Sequence, residues 1–95
     1  MALKFFGFIV TGDDFEQYQG TADFRMKVVG VKTASQGVDV ARAMVEEGVQ
    51  LIELCGGFGP VWTGRVIEAI NGAIPVGSVG YGPESIDGMY RLFAD

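Results

Sequence analysis

Leu51-Ile52-Glu53-Leu54-Cys55-Gly56-Gly57-Phe58-Gly59-Pro60 joins a short apolar run to a glycine-rich turn that ends in proline. The run has the length and the Leu/Ile content of a buried strand. Pro60 suits the first turn of a helix, where its missing N–H costs nothing. A strand delivered into a loop that opens a helix is a βα unit, and open α/β sheets bind ligands at the carboxyl ends of their strands. The stretch therefore sets a fold class, α/β, and a place to look for a site.

Working outward, Phe5, Val28, Leu51 and Ile74 recur every 23 residues, each early in an apolar run. Gly57-Phe58-Gly59-Pro60 recurs at the same shift as Gly80-Tyr81-Gly82-Pro83. The spacing predicts four βα units, although abundant glycine alone could supply two such turns. Strands are predicted over residues 4–11, 25–32, 50–55 and 74–80. One helix follows Ser35, with Val38, Ala41, Met44 and Val45 on its apolar face and Gly48 as its left-handed stop. Another runs from Gly59 and Pro60 to Asn71-Gly72. A last one starts at Pro83 with Ile86, Met89, Tyr90 and Phe93 at helical spacing. Residues 13–18 are expected to form a turn or two of helix capped by Asp13 or Asp14, or largely loop. The expected architecture is a mostly parallel four-stranded sheet flanked by helices, with a (βα)4 half-barrel completed by a second copy as the alternative.

A chain of 95 residues fits one compact domain with a limited core, so self-association into a homo-oligomer would help it. The net charge of -5 comes with Lys and Arg scattered singly, which removes the electrostatic footprint of a nucleic-acid binder. With no histidine and one cysteine, the usual zinc, haem and Ser-His-Asp chemistries and any internal disulfide drop out, and no metal is expected. Residues 1–10 lack the charged start and cleavage pattern of a signal peptide, and no run approaches a membrane span. They are expected to hold the first strand, in a cytoplasmic protein with no membrane partner.

Alternation along the strands sorts side chains onto two faces. Phe6, Phe8, Val10, Val29, Val31, Thr33, Ile52, Leu54 and Val79 would share an apolar face. Phe5, Val28, Leu51 and Ile74 would begin the other, which turns polar at Lys32, Glu53, Cys55 and Ser78. A carboxylate in a buried strand needs a partner, and Lys32, one strand earlier in sequence, is the candidate for Glu53. Trp62 would either sit in a subunit interface or cover the edge of the core.

The glycines ahead of the helix can turn free N–H groups toward an anion, but Gly57-Phe58-Gly59 does not continue into a dinucleotide fingerprint and no Walker lysine follows. No cofactor is expected. Glu53 is the better candidate for a general acid or base, and Cys55 for a nucleophile, although a lone cysteine also packs as a small hydrophobe. Two functions follow. One is a site for a small anionic metabolite near residues 55–60, with Glu53 and Cys55 as catalytic candidates and Lys32, Gly56, Gly57, Phe58, Gly59, Ser78 and Tyr81 as binding candidates. The other is a non-catalytic assembly module with Glu53 in a structural ion pair. Whether the chain is an enzyme stays open.

The segments Val45-Glu46-Glu47-Gly48, Ile52-Glu53-Leu54-Cys55-Gly56-Gly57-Phe58-Gly59 and Ile74-Pro75-Val76-Gly77 together resemble a small uncharacterised α/β family, a domain of unknown function. The resemblance runs from the Phe6-Gly7-Phe8-Ile9-Val10 strand to Gly80 and weakens over residues 13–24 and after Tyr81. It implies the architecture and the place of the site, and no reaction.

Overall fold

The computed structural model describes residues 3–94. The chain forms β1 (Phe5–Thr11), β2 (Phe15–Gly20), β3 (Arg25–Val31), α1 (Gln36–Glu47), β4 (Leu51–Leu54), α2 (Gly59–Ala69), β5 (Val76–Ser78) and α3 (Ile86–Phe93). The five strands make one sheet in the order β2-β3-β1-β4-β5. The pairs β3/β1, β1/β4 and β4/β5 are parallel, and β2/β3 is antiparallel. The predicted strands and three of the helices are present. The first of the four βα units is not.

That unit is replaced by a hairpin. Residues 13–18, expected as helix or loop, lie mostly in the edge strand β2. Phe15 packs its ring over Gly30, where a Cβ would collide with it and with the Asp13 carbonyl. At the other end Thr21 accepts from the amides of Asp23 and Phe24 through its hydroxyl, closing the turn into β3. Its aromatics, Phe15 and Tyr18, stand three residues apart and so fall on opposite faces of the strand, opposite Gly30 and Lys27, without the period-two pattern that marks a strand in sequence. The sheet stays open, with edges at β2 and β5, and does not curl into the half-barrel.

Helices α1 and α2 lie over one face. Ile9, Val29, Val31, Ile52 and Leu54 from the sheet pack against Ala41 and Met44 of α1 and Val66 of α2 in a single buried cluster. A fully buried side chain of this size contributes about 1.5–3 kcal/mol, so these residues hold the two layers together. In β1 the buried set is Phe5, Gly7 and Ile9. Met44 and Val49 press on Gly7 closely enough that a Cβ there would meet the Met44 sulfur at 2.7 Å.

This corrects the expected faces. Phe6 pairs with Leu51 and Phe8 with Val28, so β1 is out of phase with the 23-residue repeat by an odd number of residues. An odd shift moves a whole strand's side chains to the other face. Phe5 therefore joins Val29 and Ile52 in the core. Phe6, Phe8 and Val10 lie with Val28 and Leu51 on the face away from α1 and α2, each half-buried.

The sequence missed one charged cluster. Lys27 occupies the core face of β3 and is buried. Its Nζ donates to Glu47 Oε1 at 2.6 Å at the end of α1, with Glu16 Oε1 at 3.8 Å. The Tyr18 hydroxyl donates to the other Glu47 oxygen. The alternation that puts Val29 and Val31 in the core also puts Lys27 there, and that was the available signal.

Candidate functional site

The strand order has a consequence for function. From β1 the chain passes to β3 on one side, and from β3 it crosses through α1 to β4 on the other side of β1. The point between the carboxyl ends of β1 and β4 is thus a topological switch point, where open α/β sheets leave a crevice. Thr11 ends β1 there, and Cys55 follows β4.

The two residues are joined. The Thr11 amide donates to Cys55 Sγ at 3.2 Å, and the Thr11 hydroxyl lies 3.2 Å from the same sulfur. The backbone N–H groups of Gly57 and Phe58 lie near the sulfur, and that of Phe58 donates to the Cys55 carbonyl at 3.1 Å. Burial alone would push the Cys55 thiol up. The hydroxyl and amide of Thr11 and the amides of Gly57 and Phe58 outweigh it and hold the pKa below the usual thiol value. Gly57 is required here, because a Cβ would fall on the Thr11 hydroxyl. Gly59 has φ 67°, a left-handed value that turns the short 3-10 turn Gly56–Phe58 into α2.

The turn thus sets its amides beside the chain's own sulfur, which is hydrogen-bonded to Thr11. Cys55 keeps a partly exposed surface. It opens into a cavity of about 350 Å³ lined by Val10, Thr11, Gly56 and Gly57 on the sheet side and by Tyr81, Met89 and Phe93 on the other. Most of that lining is apolar, and no Lys or Arg contributes to it.

The remaining candidates fall elsewhere. Phe58 turns into the core against Gly37 and is 2% exposed. Glu53 is exposed on the sheet face away from α1 and α2, between Phe8 and Gly77, whose missing side chain leaves it open to solvent. Lys32 sits beyond the end of β3 with its Nζ 3.9 Å from Asp14. The expected pair of Lys32 with Glu53 does not form, because β1 lies between β3 and β4. Ser78 is exposed at the end of β5, and Tyr81 alone of the more distant candidates reaches the cavity. Trp62 packs against the edge of the core under the Arg65 guanidinium, 4.7 Å from its ring centroid. Thr11, Met89 and Phe93 were missed: each is distant in sequence from Cys55, and only the strand order brings Thr11 to it.

Among the described residues no group of three or more Cys, Asp or Glu side chains is gathered to hold a metal ion, and no helix is long and apolar enough to cross a membrane. The features that remain define a small, mostly parallel α/β domain with a hydrogen-bonded thiol at its switch point. The chain belongs to DUF6506, a family of unknown function, whose family model matches residues 4–94. No curated protein and no solved structure matches it.

Proposed function

We propose that the domain binds a small, largely apolar molecule in the cavity between the switch point and α3, against the sulfur of Cys55. The observation that carries this reading is the pair of hydrogen bonds between Thr11 and Sγ, with the amides of Gly57 and Phe58 nearby, at the wall of that cavity. Donors aimed at a sulfur favour the thiolate, the form that acts as a nucleophile. The volume is at the lower end of the range for ligand pockets, about 300–1,000 Å³, so the molecule is compact.

The charge of the ligand follows from the same geometry. A thiolate repels an anion, no cation lines the cavity, and the Phe58 amide of the turn is already taken by the Cys55 carbonyl. The geometry therefore favours a neutral molecule with an electron-poor centre over the anionic metabolite expected from the glycines. Glu53, outside the cavity lining, takes no part in this reading.

Alkylation with a matched pair of reagents tests it. Neutral iodoacetamide is expected to modify Cys55 faster than anionic iodoacetate by about tenfold or more, each rate being normalised to a free thiol. Intact-mass spectrometry at pH 7 reads both rates. Faster modification by iodoacetate would restore the anion site, and a thiol inert to both reagents would remove the proposal.

A further inference from the structure

The face of the sheet opposite α1 and α2 has no helix layer, and the topology says why. Right-handed crossovers put α1 and α2 on one face, because both connections run toward β5. The connection from β1 to β3 runs the other way and would have placed a helix on the second face. Residues 12–24 are instead used for β2. That face presents Phe6, Phe8, Met26, Val28 and Leu51, all half-buried and all apolar, with Val10 at its end bordering the cavity beside α3. Phe15 extends it at the β2 edge, 42% exposed. All-parallel sheets occur almost only with both faces covered, and four of the five strands here, β3, β1, β4 and β5, are parallel.

The size of the molecule points to the same deficit. A folded monomer of 10.2 kDa is expected to expose about 5,300 Å², whereas this chain exposes 6043 Å². The excess of about 700 Å² is close to the ~800 Å² that each partner contributes to a standard interface. The radius of gyration, 13.9 Å, also exceeds the ~12.4 Å of a compact domain of this length. Part of the excess is α3, where Ile86, Tyr90, Leu92 and Phe93 are each more than 60% exposed.

We propose that a second copy of this chain covers the open sheet face, the two sheets packing face to face about a twofold axis with α3 of each copy at the rim. A twofold contact needs one self-complementary patch, and a nearly uncharged apolar sheet face meets that condition. Glu53 is the one charged side chain of β1, β3 and β4 on this face; it stands beside Phe8 at mid-strand, with the apolar residues of β1 and β3 to one side of it. With a net charge of -5 the chain would be repelled by an anionic lipid surface, the other apolar partner such a face could take. This inference is independent of the ligand reading, since it rests on the sheet face and not on Cys55.

Sedimentation equilibrium of the wild-type chain and of Phe8→Lys and Phe15→Glu tests it. Wild type is expected at twice the 10.2 kDa of one chain. Phe8→Lys, at the middle of the face, is expected to raise the dissociation constant about 30-fold or more. Phe15→Glu, on a side chain already open to solvent, keeps the test valid if Phe8→Lys fails to fold, and is expected to weaken the dimer about tenfold. A wild-type chain that stays monomeric up to about 100 µM, in the weak range of interfaces of this size, would overturn the proposal. So would a dimer unchanged by Phe15→Glu and by a folded Phe8→Lys, since the contact would then lie on Trp62, on α3 alone or on the β2 edge.

Discussion

Phe58→Ala is expected to lower the free energy of unfolding by about 3–5 kcal/mol, the range for removing a buried aromatic ring. The ring is 2% exposed and closes the core at the start of α2, lying against the α1 residue Gly37. A Cβ on Gly37 would stand 2.5 Å from the Phe58 ring, so the two positions are fitted to each other. Gly37→Ala alone should therefore cost about 1–3 kcal/mol by overpacking. The same change made in Phe58→Leu should cost less, because the smaller side chain gives the new methyl room. Urea denaturation of the four proteins reads the cycle. For a chain of this length Phe58→Ala should depress Tm by about 15 °C or more. A small loss would mean that Phe58 lines the cavity, as its place in the glycine turn first suggested.

Glu47→Gln is expected to cost about 1.5–3 kcal/mol near neutral pH, the worth of a hydrogen bond to a charged group. It would leave the buried Lys27 ammonium with the more distant Glu16 as its remaining carboxylate. Lys27→Met should cost far less, because it removes the buried charge together with its partner's task and leaves Glu47 partly in solvent with Tyr18. The pair also predicts a pH window. The hydrogen bond from Lys27, and then that from Tyr18, holds the Glu47 carboxyl below its usual value. Its contribution is complete above the ordinary glutamate pKa of about 4.3 and is lost as pH falls through the lowered value. Burial by itself would lower the Lys27 pKa, but the hydrogen bonds with Glu47 and Tyr18 and the charges of Glu47 and Glu16 raise it. That contribution is complete below about 10.4 and is lost as pH rises through the raised value. The stability difference between wild type and Glu47→Gln should thus be flat from about pH 5 to 10 and shrink on either side. A difference that does not change between pH 3 and 7 would contradict the pairing.

What the sequence made legible was local. Pro60 in the first turn of α2, Gly48 with φ 101° at the end of α1, and the stripe from Ile86 to Phe93 all depend on neighbours within a turn or two, and all stand as expected. What it hid was long-range. The 23-residue repeat suggested that four strands share one register, yet pairing of Phe6 with Leu51 and of Phe8 with Val28 flips β1. The insertion of β1 between β3 and β4 then separated Lys32 from Glu53 and brought Thr11 to Cys55. Strand order depends on crossovers that individual residues do not encode. The strand-loop-helix pattern at residues 51–60 pointed to the end of β4, where Cys55 borders the cavity, but the residues gathered there could not be chosen without that order. Glu53, the acid in that strand, is exposed outside the cavity, whereas Cys55 takes the Thr11 amide and borders the cavity.

The central claim is that the turn after β4 serves the Cys55 sulfur, and the pH dependence of iodoacetamide alkylation tests it most directly. In wild type the rate should rise through a midpoint below the ordinary thiol pKa of about 8.5. Thr11→Val keeps the amide donor and removes the hydroxyl, so its midpoint should move upward while the protein stays folded. A wild-type midpoint at or above the ordinary value, unchanged in Thr11→Val, would contradict the account.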